Sequence, residues 1–138
     1  MKLWKLWILV VVVVSAPWFG VVRHPQWTRV TWIPFTGEED RPRDVAANFL
    51  LYVPFGLSLA HDRGARHGVA AAALAALAVS LPVETSQLFF RLRDPSATDL
   101  LMAVCGSAAG SLAAQALDWR GAGRAHGRPA AGARGYER

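Results

Sequence analysis

Six polar residues could do chemistry in this chain because each lies inside or at the rim of an apolar run: Asp44, Asn48, Glu84, Gln87, Arg93 and Asp99. Glu84 is the most informative of them. An ionisable group at apolar depth costs a few kcal/mol unless it is paired or hydrated, so its presence points to a site. Glu84 is also the candidate acid or base for any reaction there. Asn48 and Gln87 can hydrogen-bond a ligand or glue helices together, and Arg93 offers a charged fork to an anionic group. Asp44 and Asp99 have a plainer alternative, because an acid at a helix start meets free N–H groups and the positive end of the helix dipole. Ser96-Ala97-Thr98-Asp99 has the spacing of a capping box.

Other chemistries are not signalled. His24, His61, His67 and His126 are scattered over loops and tail without metal-ligand spacing. Gly121, Gly123 and Gly127 lie in the tail and not between a strand and a helix, so they make no phosphate loop. No serine stands in a nucleophile elbow. No metal, no cofactor and no established catalytic motif are therefore expected, and Cys105, the single cysteine, has no partner for an internal disulfide.

The elements that must position the six residues follow from hydropathy. Of 138 residues 53% are hydrophobic and 18% charged, and the apolar ones arrive in blocks that a small soluble globule could not bury all round. Residues 6–22 form the first block, preceded by Lys2 and Lys5. It resembles a signal peptide, but Pro17 directly after Ala16 opposes cleavage, and the block is read as a retained helix. The second block, 45–60, contains Pro54, which should kink a helix unless packing restores the lost bond. The third starts at Gly68, is nearly pure Ala, Leu and Val to Val83, and runs on to Phe90. The fourth spans 100–117, with Gly106, Ser107, Gly110 and Ser111 as a small-residue face for internal packing or for a homo-oligomer through Gly106 and Gly110.

This pattern predicts an all-α integral membrane bundle of four transmembrane helices over residues 1–118, followed by a disordered basic Gly/Ala/Arg tail over 119–138. The net charge of +5 would suggest nucleic acid in a soluble protein, but here the arginines flank apolar blocks and fill the tail. Orientation and lipid contact explain them, and no nucleic-acid partner is expected. Placing both termini in the cytoplasm puts Lys2, Lys5, Arg63, Arg66 and five tail arginines inside. Arg23, Arg29, Arg41, Arg43, Arg91 and Arg93 then lie outside. Loops 23–44 and 91–98 then share the outer face, with Trp27 and Trp32 at the interface and the stretch Trp32-Ile33-Pro34-Phe35 extended or re-entrant. Glu84 falls roughly 24 Å along a helix begun at Gly68, about one turn short of the far side of a ~30 Å core. Three helices thus deliver the six residues to one level.

The region 33–110 resembles the VanZ-like family of bacterial membrane proteins. The residues that carry the likeness are Ile33-Pro34-Phe35, Asp44 with Asn48, Tyr52-Val53-Pro54-Phe55-Gly56, Glu84-x-x-Gln87-x-Phe89, Arg93, Asp99, and the pair Gly106 and Gly110. One departure is Ala103, where the family usually has an asparagine one turn after the aspartate. If that asparagine contacts a ligand this member is altered, and if it only glues helices alanine suffices. The resemblance implies a multi-pass cell-membrane protein with a name derived from glycopeptide antibiotic resistance. On the residues themselves three functions stand: a non-catalytic binder of an envelope lipid, peptidoglycan-related molecule or glycopeptide; a small membrane enzyme acting on a lipid headgroup through Glu84; and a helper subunit without chemistry.

Overall fold

Glycine decides how closely two of the helices approach, and the rest of the bundle forms around that contact. The computed structural model describes residues 2–15, 19–37, 40–63, 68–92 and 94–126. Four helices account for most of them: α1 Leu3–Ser15, α2 Pro42–Arg63, α3 Gly68–Gln87 and α4 Ala97–His126. Among the described residues the only extended pairings are two isolated bridges, Val21 with Phe90 and Thr31 with Ser96.

The most extensive interface is between α2 and α4. A Cβ built on Gly56 would come 1.9 Å from the Ser107 carbonyl oxygen, one on Gly106 2.2 Å from that of Phe49, and one on Gly110 2.0 Å from that of Val53. The backbones touch, and only glycine permits it. The small-residue face of α4 is thereby occupied by α2, so an oligomer through Gly106 and Gly110 would have to displace that helix. Ser107 also ties α4 to α3, its hydroxyl donating to the Ala72 carbonyl at 2.9 Å. Around this seam the buried apolar cluster comprises Val11, Tyr52, Phe55, Ala76 and Ala103, which joins α1, α2, α3 and α4.

α1 lies antiparallel to α2. The Trp4 backbone N–H meets the Asp62 carboxylate at 3.4 Å, which caps the start of α1 from the end of α2, and the Trp7 indole N–H donates to the Leu51 carbonyl at 2.6 Å. α2 begins with proline at its first helical position, where the missing N–H is no loss, and runs through Pro54 as one helix of 22 residues.

The structure departs from the sequence expectation at several element ends. α1 has 13 residues, about 20 Å of helix, and the chain from Phe19 to Val22 is not helical: Gly20 takes a positive φ of 81° and Val21 bridges to Phe90. The helix therefore does not fill the 6–22 block. α3 stops at Gln87, three residues before Phe90, because the next backbone groups turn to the facing loop. α4 starts three residues earlier than the apolar block, at Ala97, and its helical backbone continues to His126, into the stretch expected to be tail. Extending a formed helix needs only one residue fixed per added hydrogen bond, so the fall in hydrophobicity after Leu117 does not stop it. The remainder of the expected tail, 127–138, lies outside the described residues.

Two helices, Gly68–Gln87 and Ala97–Leu117, are long and apolar enough to cross a membrane by length and composition; α1 is apolar but shorter.

Candidate functional site

The two loops expected on one face meet, and they do so through backbone hydrogen bonds that the sequence did not reveal. Val22 N–H donates to the Phe89 carbonyl at 2.8 Å, Gln26 to Leu88 at 3.0 Å, Arg91 to Gly20 at 3.0 Å, Thr31 to Pro95 at 3.0 Å and Ala97 to Thr31 at 2.9 Å. The carbonyls just past the end of α3 thus find donors in the first loop. Arg29 locks the seam: its Nε pairs with Asp94 at 2.5 Å and its Nη1 donates to the Gln26 side chain at 2.7 Å and the Arg91 carbonyl at 2.8 Å. The Trp32–Phe35 stretch, expected to be extended or re-entrant, turns at Ile33, Pro34 and Phe35. Phe35 sits at φ 63°, a left-handed conformation unfavourable for a bulky residue, and its N–H donates to the buried Thr98 hydroxyl at 2.8 Å, which helps hold it there.

Ser96 is the hub under this seam, and sequence reasoning gave it too small a part. As N-cap of α4, its hydroxyl accepts the Thr98 N–H at 3.1 Å, as the capping-box spacing suggested. The same hydroxyl donates to Asp40 at 3.1 Å. In a capping box the acid three residues on would take the N-cap backbone N–H. Here that N–H goes instead to Glu84 Oε2, reaching across from α3 at 3.1 Å. Asp99 is left to accept a short hydrogen bond from the Asn48 side-chain amide on α2. Asp40 carried no signal beyond its place in an acidic run; it also accepts the Gly37 N–H at 3.0 Å, which shapes its own loop.

Five of the six expected site residues converge. Asp44, Asn48, Glu84, Gln87 and Asp99 line one cavity of about 190 Å³, joined by Val14 and Ser15 of α1, Ala47 and Leu51. Arg93 lies outside the described residues. Glu84 and Gln87 are buried, at 7% and 3% exposure, Asn48 and Asp99 are half-buried, and Asp44 is exposed at the rim, where Arg43 approaches it at 3.6 Å. Gln87 Nε2 faces the Ser15 carbonyl at 3.5 Å, and its Oε1 is buried without a hydrogen-bond partner among the described residues. Outward of this pocket is a vestibule of about 290 Å³ that shares Asp44, Asn48 and Asp99 and adds Asp40, Arg41, Arg43, Asp94 and Ser96. A third, apolar hollow of about 280 Å³ opens between α3, α4 and the first loop, lined by Trp27, Trp32, Leu81, Leu88 and Leu100, with Glu84 on its wall.

The arrangement can hold small polar groups by carboxylates and amides at the end of an otherwise apolar bundle. Among the described residues no cluster of His, Cys, Asp and Glu has the geometry of a metal site. Pro54 and Gly56 belong to the packing of α2, and Ala103 is fully buried in the apolar cluster with Tyr52 and Phe55. No curated protein and no solved structure gives a significant match to the chain. A family model described as VanZ/LLP1 matches residues 3–118, from the start of α1 well into α4, and the chain therefore belongs to the VanZ/LLP1 family.

Proposed function

We propose that this chain is a four-pass protein of the cell membrane, with both termini cytoplasmic, that binds the polar headgroup of an envelope lipid or peptidoglycan-related molecule in the cavity at its outer end. What supports the reading most is the cavity itself: Asp44, Asn48, Glu84, Gln87 and Asp99 come together where an apolar bundle meets its capped loops. Polar groups gathered at such depth mark a ligand path far more often than scaffold. Phe19, Val21, Trp27, Trp32, Ile33, Phe35 and Leu92 are exposed at this same end, as suits residues bathed by lipid and headgroups. α1 and α2 then cross with α3 and α4, their shorter apolar lengths met by tilt of neighbours and local thinning of the bilayer. The pocket is smaller than the roughly 300–1,000 Å³ typical of drug-sized ligands, so a whole glycopeptide antibiotic would engage only the rim and a headgroup would enter.

The enzymatic alternative gives Glu84 proton transfer as well as its grip on Ser96. Glu84→Gln separates the two, because glutamine keeps an acceptor for the Ser96 N–H and cannot act as acid or base. In cells expressing each variant at matched membrane level, survival under glycopeptide challenge is measured. A binder retains most of the wild-type protection with Glu84→Gln and loses it with Asn48→Ala or Arg93→Glu. Complete loss with Glu84→Gln favours catalysis, and equal survival of all variants, wild type and empty vector removes the antibiotic connection.

A further inference from the structure

We infer that the group received by the inner pocket is a primary ammonium, the amino end of an amphiphile's headgroup; this rests on the headgroup-binding reading above and names its chemistry. The observation that carries it is the buried, unpartnered Oε1 of Gln87. The two ends of an amide have nearly the same shape, and here the contact fixes which end lies where. Nε2 faces the Ser15 carbonyl, which can only accept, so the amide nitrogen belongs on that side and the oxygen on the other. A buried carbonyl oxygen without a donor costs about 1–3 kcal/mol, and a ligand donor would remove that cost.

The neighbours ask for the same thing. Asn48 donates to Asp99, and its own carbonyl oxygen remains an acceptor. Asp44 brings a carboxylate to the rim, and the carboxylates of Glu84 and Asp99 also line the pocket. A phosphate entering here would set acceptor against acceptor and negative charge against negative charge, a juxtaposition that costs several kcal/mol. An ammonium presents three donors and no acceptor, which matches a lining of acceptors, and the carboxylates supply the charge compensation that a desolvated cation requires. The pocket's volume of about 190 Å³ suits such a small head, and Glu84 stands also on the wall of the apolar hollow, where Trp27, Trp32, Leu81, Leu88 and Leu100 offer a tail an apolar lining.

The test uses the full chain in non-ionic detergent with two probes that share one tail, dodecylammonium and dodecyl phosphate, and reads discrete adducts by native mass spectrometry. Saturable dodecylammonium binding at least tenfold tighter than dodecyl phosphate is expected. Asp44→Asn and Gln87→Leu should each weaken it about tenfold, while Asp62→Asn at the opposite end of the bundle leaves it unchanged. Far-UV circular dichroism of each variant guards against unfolding, and Asp44, being exposed, is the safer of the two. Tighter dodecyl phosphate binding that Asn48→Ala weakens overturns the ammonium and leaves the headgroup site standing. Ammonium binding that ignores both Asp44→Asn and Gln87→Leu overturns its assignment to this pocket. If neither probe gives a saturable adduct, the headgroup reading falls with it.

Discussion

Replacing Gly56 by alanine tests whether the α2–α4 contact governs the bundle. The new Cβ would lie 1.9 Å from the Ser107 carbonyl oxygen, 2.7 Å from its carbon and 2.8 Å from its Cα. All three are backbone atoms, so no side chain can swing aside. Restoring ordinary contact requires the helices to part locally by about 1.5 Å, and a gap of 0.5–1 Å already forfeits a quarter to a half of each atom pair's ~0.1–0.2 kcal/mol. Over the several tens of pairs in the adjoining turns, the expected loss is about 2–4 kcal/mol, at or above the usual range for overpacking. Unfolding in mixed micelles, titrated with SDS and followed by circular dichroism, reads it. Gly110→Ala should cost a similar amount, and the double variant less than the two combined, since one separation relieves both clashes. Gly68→Ala is the control: its Cβ meets nothing within 4 Å, so only the positive φ of 65° opposes it, about 1–2 kcal/mol. Stabilities of Gly56→Ala and Gly110→Ala within about 0.5 kcal/mol of wild type would show that the backbones do not touch as described.

Ala103→Asn places an amide among Val11, Tyr52, Phe55 and Ala76 and should lower stability by about 1–3 kcal/mol; a thermal midpoint equal to wild type would show that a partner awaits the amide. Arg29→Ala removes the Asp94 pair and two hydrogen bonds, so amide exchange at Gln26, Arg91 and Ala97 should quicken while that of Ala76 in α3 does not; unchanged loop exchange would assign the seam to its backbone bonds alone. Orientation is read by cysteine labelling in a Cys105→Ser background, so that the introduced cysteine is the single thiol. An impermeant thiol reagent applied outside should modify Gly37→Cys and miss Gly64→Cys, and the reverse would put the pocket in the cytoplasm.

The helices were legible in the sequence because blocks of apolar residues announce themselves without tertiary information. So was the convergence of Asp44, Asn48, Glu84, Gln87 and Asp99, since spacing and alternation of blocks place them at one end. The element ends were less so. α1 stops short of its apolar block because the chain around Gly20 pairs with the α3–α4 loop, a long-range event invisible to local hydrophobicity. Asp62, at the end of α2, gave no hint that its carboxylate caps α1, for the same reason. Ser96 and Asp40 were missed as a pair because they are distant in the chain and each has an ordinary local role available.

Sequence leaves Asp99 open between a structural and a functional role, and where Glu84 goes shows what Asp99 does within the bundle. Had Asp99 closed the capping box on Ser96, its carboxylate would face its own helix start and Asn48 would need another partner. Glu84 supplies that acid from α3 instead, and in doing so fastens α3 to the start of α4. Asp99 is then available to Asn48, which fastens α4 to α2. Two carboxylates that could each have served one helix bind three helices together, and both remain on the wall of the pocket. Holding the bundle and lining the cavity are therefore one arrangement. Exchanging either carboxylate for alanine should loosen the helices as well as alter the pocket, whereas Asp44 is exposed at the rim and its charged neighbour Arg43 belongs to its own helix, so its exchange should leave the contacts between helices in place.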